Sequence, residues 1–330
     1  MITQRGRILL IGGGHGLSGL LKALTTMNKA DAALFDWQVG VGMTDHGGSS
    51  GKLRDQFGVP ALGDWRRCLS AVSQRAGELN FEHRNDQGHA LGNLYLLKQW
   101  QQTGGDLLSV SQNIASDLEP LIPILPITLD SIELELKLTS GQVLIGEGQI
   151  GEQTQDDPII QVTLAPEPTL DQLNPRILEA LERASALVIA PGSFWSSQIA
   201  ALLPLGLHSL IKDRGSDWPV IYLANVAHER GETPHLDLVA QVELLSQYLG
   251  RPPTIVIANQ ELRRFDQDLT PLGAVRHLVP PQPSEWQRRL PETELLFAKL
   301  LHQRSDLEHD HRQLAKELVK ILSMLVLPPI

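Results

Sequence analysis

Short apolar runs that stop at glycine, aspartate or asparagine and then give way to helical patterns recur along this chain, which leaves few folds open. Residues 7–11 break at Gly12, Gly13 and Gly14, and Leu17, Leu20, Leu21, Leu24 and Met27 follow at the spacing of one helix face. A second run, 37–43, ends at Asp45; further ones occupy 186–190, 219–225 and 254–259. Helical patterns cover 91–100 and 107–118, and Pro175 suits the first turn of a helix running to Ala184. Asp64 stands where an N-cap belongs before WRRCLSAVS, and Thr233-Pro234 read as the cap and first residue of a helix to Leu249. Repeated strand-helix units imply a parallel sheet with helices on both faces. Its ligand crevice lies beyond the carboxyl ends of the strands.

The middle of the chain changes period. Ile132, Leu134, Leu136 and Leu138 alternate with polar residues, Ser140-Gly141 turns the chain, and Val143 and Ile145 continue the alternation. Residues 159–164 add a strand, so residues 124–166 are expected to form an antiparallel hairpin insertion. A C-terminal amphipathic helix is expected over residues 311–326.

Charge and composition exclude several classes. The formal charge of −10 argues against a partner that is nucleic acid, whose phosphates call for a basic face. No apolar stretch approaches the ~18 residues of a membrane span, and no signal-peptide core is visible, so a cytoplasmic protein with no membrane partner is expected. The lone Cys68 rules out an internal disulfide framework and a cysteine zinc site.

The loops at the expected carboxyl ends carry the candidate chemistry. The first holds Gly12, Gly13, Gly14, His15 and Gly16, with a G-x-G-x-x-G spacing at Gly14, Gly16 and Gly19. Such glycines let backbone approach a phosphate at a helix N-terminus. The second, TDHGGSSGKLR, brings Asp45, Gly47, Gly48, Ser49, Ser50, Lys52 and Arg54 into one stretch. Amides, hydroxyls and cations together suit a diphosphate. Leu53 after Lys52 excludes a Walker A loop. In an extended loop Lys52 and Arg54 share a side; in a helix they stand roughly 200° apart, and Arg54, with its planar fork, is the expected phosphate ligand. Gly192 and Ser193 could form another anion nest, with Phe194 or Trp195 presenting a ring, and Asn225 can address a base edge. The HDHR run at 309–312 reads as a solvated helix start rather than a metal site, and Cys68 as core.

GGGHGLS, TDHGGSSGKLR, GDWRRCL, GHALGN, APGSFWSS and YLAN, in that order, resemble the gluconeogenesis-factor branch of the CofD-like superfamily, which also contains 2-phospho-L-lactate transferase. The resemblance implies one Rossmann-like three-layer α/β/α domain over residues 1–330, with a mainly parallel sheet. It implies a cytoplasmic regulatory protein that binds a UDP-sugar and acts in cell shape and wall metabolism during gluconeogenic growth. Carried over from the family are Gly12, Gly13, Gly14, Gly16, Asp45, the stretch Gly47–Gly51, Asp64, Asn93, Gly192, Ser193 and Asn225. The transferase branch implies an alternative, magnesium-assisted transfer of a phosphate-bearing group with Asp45 as metal ligand and catalytic residue. A third reading is an NAD(P) oxidoreductase built on Gly14, Gly16 and Gly19. A homo-oligomer is compatible with all three. His46, Arg67 and Trp195-Ser196 depart from the family pattern.

Overall fold

The computed structural model describes residues 5–28, 34–151, 154, 156–169, 172–204, 207–233, 235–262, 274–303 and 308–327. Strand β1 (Gly6–Gly12) leads into helix α1 (Gly14–Thr25), then β2 (Phe35–Val41), α2 (Gly48–Phe57), α3 (Gly63–Val72) and α4 (Gln74–Glu78). Helices α5 (Leu91–Gln102) and α6 (Leu107–Leu118) precede β3 (Ile124–Pro126). The insertion supplies β4 (Glu133–Leu138), β5 (Val143–Ile145), a 3-10 turn at Glu147–Gln149, and β6 (Ile159–Ala165). Helix α7 (Pro175–Arg183) and β7 (Ala186–Ile189) end in a π-helical turn, Phe194–Ile199, and α8 (Leu207–Lys212) follows. Then come β8 (Val220–Leu223), β9 (Ala227–Glu229), α9 (Leu238–Leu249), β10 (Ile255–Asn259) and β11 (Ala274–His277). The chain closes with α10 (Pro283–Arg289), β12 (Glu294–Ala298) and α11 (His311–Val326).

The main sheet has seven strands in the order β12-β10-β8-β7-β1-β2-β3, and its neighbours pair parallel. Each central strand is buried on both faces, which is why it reads as a continuous apolar run. In β1, Ile8 and Leu10 face one core with Leu17, Leu21, Trp65, Leu69, Leu96, Val110 and Leu318. Leu9 and Ile11 face the other core with Ile177, Leu181, Leu245, Trp195, Leu134 and Leu136. One layer is therefore α1, α3, α5, α6 and α11; the opposite layer combines α7 and α9 with the antiparallel β5-β4-β6 sheet of the insertion. Among the described residues no helix is long and apolar enough to cross a membrane.

Several boundaries differ from the sequence reading. Ile124–Pro126 pairs parallel with β2, so it belongs to the main sheet and the antiparallel insertion begins after it. A strand of this length carries too few residues to show a period. The stretch expected as a loop, 47–54, is mostly helix α2. Asp64 lies inside the first turn of α3, whose N-cap position is Leu62. The helix to Leu249 starts at Leu238, where Asp237 accepts from the Ala240 amide; Pro234 lies outside the described residues. Asp310 caps α11 through the Arg312 and Gln313 amides.

Candidate functional site

The loops after β1, β7 and β8 open on a cleft of about 1010 Å³, lined among others by His15, Gly16, Lys22, Arg67, Glu147, Gly192, Ser193, Asn225, Glu229 and Glu232. A recess of about 630 Å³ adjoins it, sharing Gly19, Lys22, His309 and His311. His15, Gly16, Gly192, Ser193 and Asn225 are thus brought together as the sequence predicts.

The glycines of the first loop are needed for protein contacts. A Cβ on Gly13 would sit 2.6 Å from Asp64 Oδ2, one on Gly16 would strike the Pro191 carbonyl, and one on Gly12 would meet Ala190 at 3.3 Å. Gly14 adopts φ +70°, in the left-handed region that favours glycine. Its amide donates to Asp64 Oδ2 at 2.6 Å, while Arg67 pairs with Asp64 Oδ1. Burial, and then the charge of Asp45, push the Asp64 carboxyl up to about 6.

The second loop stands back from the cleft. Ser49 Oγ is 3.1 Å from His89 Nδ1 and accepts from the Ala90 amide and Asn93 Nδ2, so Ser49 and Asn93 join α2 to α5 in the interior. Ser50 bridges the Asp45 carbonyl and the Gly63 amide. Gly47 donates its amide to Asp45 Oδ1 at 3.0 Å, and Gly48 holds φ +49° at the helix start. Lys52 is exposed. Arg54 is turned the other way, with a side chain only 3% exposed, and it does not reach the cleft. Its guanidinium donates to the Thr44, Asp45 and Ile132 carbonyls and pairs with Glu133, fastening the insertion to α2. The His46 ring lies at that seam, with Nδ1 3.3 Å from Glu133 and Nε2 3.5 Å from Asp55.

The third loop is braced from β8 and the turn after β9. Asn225 exchanges hydrogen bonds with Gly192, accepting at 3.3 Å and donating at 2.7 Å, so it shapes the loop. Glu232 accepts from the Trp195 amide and from Ser196 Oγ, both at 2.7 Å, and Trp195 Nε1 donates to the Glu232 carbonyl. Phe194 and Trp195 are fully buried in the core, so neither ring faces a ligand. Burial, and then Glu229, push Glu232 up to about 7.

Sequence reasoning passed over Lys22, which lies on α1 beyond its glycine spacing, and Glu147, Glu229 and Glu232, which lie on elements without any motif spacing. His309 is also a correction: it is buried rather than solvated, donates from Nε2 to the Ala224 carbonyl at 3.0 Å, and is held down to about 4 by burial. Cys68 is core, as read, and burial raises its thiol far above the ordinary range. Among the described residues no group of three or more His, Cys, Asp or Glu is arranged to hold a metal ion. Asp45, which acts electrostatically on His15 and Glu147, offers one carboxylate; magnesium there would need its other donors from a ligand's phosphates.

The family profile described as 2-phospho-L-lactate transferase CofD matches residues 8–323. The gluconeogenesis factor of Bacillus subtilis is 34% identical over 255 residues, 75% of this chain and 76% of its own length. A Deinococcus radiodurans relative is 31% identical over 335 residues, and this chain covers 96% of itself but 66% of that protein. A crystal structure of a UPF0052-family protein from Bacillus halodurans superposes with a TM-score of 0.83 at 26% identity, covering 96% of this chain and 99% of the other. The ordered glycine loops, the parallel sheet and the matched span agree, and this chain belongs to the CofD family.

Proposed function

We propose that this chain is a cytoplasmic regulatory protein that binds a UDP-sugar and acts in cell shape and wall metabolism during gluconeogenic growth. The observation that carries the reading is the mixed lining of the cleft. Lys22 and Arg67 offer cations to a diphosphate, while Ser193 and the second Asn225 Nδ2 hydrogen offer polar groups to its remainder. A volume of about 1010 Å³ accommodates a ligand of that size. Relatives named gluconeogenesis factor support the regulatory role, and the family's transferase description supports a nucleotide-related ligand.

Calorimetry and thermal shift with UDP-N-acetylglucosamine, UDP, GDP, NAD and NADP, each with and without magnesium, test the reading. UDP-N-acetylglucosamine is expected to bind more tightly than NAD. Tighter binding of NAD, with reduction of a substrate, overturns it in favour of an oxidoreductase. Magnesium-dependent consumption of the nucleotide would favour a transferase with Asp45 beside the metal.

A further inference from the structure

The cleft is walled by two groups of elements, with Glu82 and Glu308 also in its lining. Helices α1, α3 and α11 pack together on one side and present Lys22, Arg67 and His15. On the other side the insertion meets the turn after β9: a Cβ on Gly231 would lie 2.7 Å from Thr154 Oγ1 and 2.8 Å from the Gly151 carbonyl. That side presents Glu147, Glu229 and Glu232, with Arg230 on the same turn. Two of these carboxylates already serve the protein. Glu232 braces Trp195 and Ser196, and Glu229 holds Ser193.

Glu147 differs. It sits on the 3-10 turn after β5, lines the cleft, and among the described residues receives one hydrogen bond, from the His46 amide to Oε2 at 3.2 Å. That bond fixes the carboxyl group and leaves Oε1 for a ligand. Burial, and then the like charges of Asp45, Asp64 and Glu232, raise its proton affinity. Those neighbouring carboxylates disfavour a phosphate here, whereas the Glu147 carboxyl oxygens accept from hydroxyl and amide N–H donors in either protonation state. We propose that Glu147 is the sugar-recognising residue of the cleft, accepting hydrogen bonds from the sugar's hydroxyl or amide groups while Arg67 and Lys22 take the diphosphate. The hairpin insertion then determines which sugar is accepted, because it carries Glu147 and is fastened to the domain by Arg54.

The proposal rests on the UDP-sugar reading, and comparing UDP with UDP-N-acetylglucosamine separates the two. Calorimetry on Glu147→Ala is expected to lower the ratio of UDP-N-acetylglucosamine affinity to UDP affinity at least tenfold. Glu147→Gln, which keeps an acceptor for the His46 amide, is expected to lower the same ratio at least threefold. Arg67→Ala is expected to weaken both ligands together and leave the ratio in place. An unchanged ratio in both Glu147 variants overturns the proposal while the UDP-sugar reading stands. Failure of the wild type to bind either ligand overturns both.

Discussion

The Asp64 carboxylate accepts the Gly14 amide proton at 2.6 Å, reaching from α3 to the first turn of α1. The N-terminus of α1 carries partial positive charge and free N–H groups, and it is the seat a phosphate takes in many strand-to-helix loops. Here an anion of the protein itself holds that seat, with Arg67 bound to its other oxygen. Glu232 does the same for the Trp195 amide at the start of the π-helical turn. A diphosphate entering this cleft is therefore directed toward cationic side chains rather than these two amides.

Asp64→Asn is expected to raise UDP affinity at least about threefold at pH 8, a gain of roughly 0.7 kcal/mol. At that pH the wild-type carboxyl, raised to about 6, is ionised, repels phosphate and occupies Arg67. At pH 5.5 it is mostly protonated, so the two proteins' affinities should converge. Calorimetry at both values checks this; weaker binding by the variant at pH 8 would make Asp64 a direct ligand contact.

The central strands were legible because burial on both faces leaves an unbroken apolar run ending in glycine or asparagine. The edge strands were less so: Ile124–Pro126 is too short for any period, and Glu294–Ala298 has an exposed Phe297. GGSSG is poor helix material, and α2 forms there because Ser49 is held by Ala90, Asn93 and His89. The glycines at 12–16 were found for a sound reason, since they mark close approach. What approaches is Asp64, Pro191 and Ala190, and a glycine spacing carries no record of its neighbour. Arg54 is expected at a phosphate for its planar fork, but that fork is taken by the Thr44, Asp45 and Ile132 carbonyls and Glu133, partners in the insertion and strand end that the local spacing does not record.

Arg54→Ala is accordingly expected to act on stability before affinity. It removes one partner of the largely buried Arg54–Glu133 pair and takes the guanidinium donor from the Ile132 and Thr44 carbonyls, while the Asp45 carbonyl keeps Ser50. The cost is about 3 kcal/mol, the low end for such pairs because Glu133 is 27% exposed. A fall in melting temperature and new protease cleavage in the insertion should accompany it. Lys52→Ala, on the exposed side of α2, should stay within about 0.5 kcal/mol of the wild type. A stable Arg54→Ala protein that loses only ligand affinity would return Arg54 to the phosphate.

Gly16→Ala tests the close approach of α1 to the loop after β7. Its Cβ would run into the Pro191 carbonyl, which is backbone and cannot swing aside. Overpacking of this kind costs about 1–3 kcal/mol, against a helix-propensity gain of up to ~1 kcal/mol. Gly77 lies in helix α4 with nothing within 4 Å of an added Cβ, so Gly77→Ala should stabilise by about 0.4–1 kcal/mol. Urea unfolding without ligand should therefore move the two variants in opposite directions. Equal stability of Gly16→Ala and the wild type would mean that the loop yields.

Glu232→Gln separates the electrostatic cost of the buried carboxylate from its hydrogen bonds. Burial and Glu229 raise Glu232 to about 7, above the ordinary carboxyl value of 4.5. The folded protein thus favours the protonated form more than the unfolded chain does. The resulting stabilisation is fully present below about 4.5 and is lost as the pH rises through about 7. Glutamine is neutral at every pH, can accept from the Trp195 amide, and can donate to Ser196 Oγ, which accepts as readily as it donates. At pH 8 the variant should melt higher than the wild type, and at pH 5 the gap should close. Taking the difference between the two proteins cancels titrations that do not interact with Glu232, including that of His309, whose lowered value works in the opposite sense; Glu229, which acts on Glu232, contributes to the same pH-dependent gap. A difference in melting temperature that stays constant from pH 5 to 8 would show that Glu232 is charged at no extra cost, with its hydrogen bonds to the π-helical turn fully compensating burial.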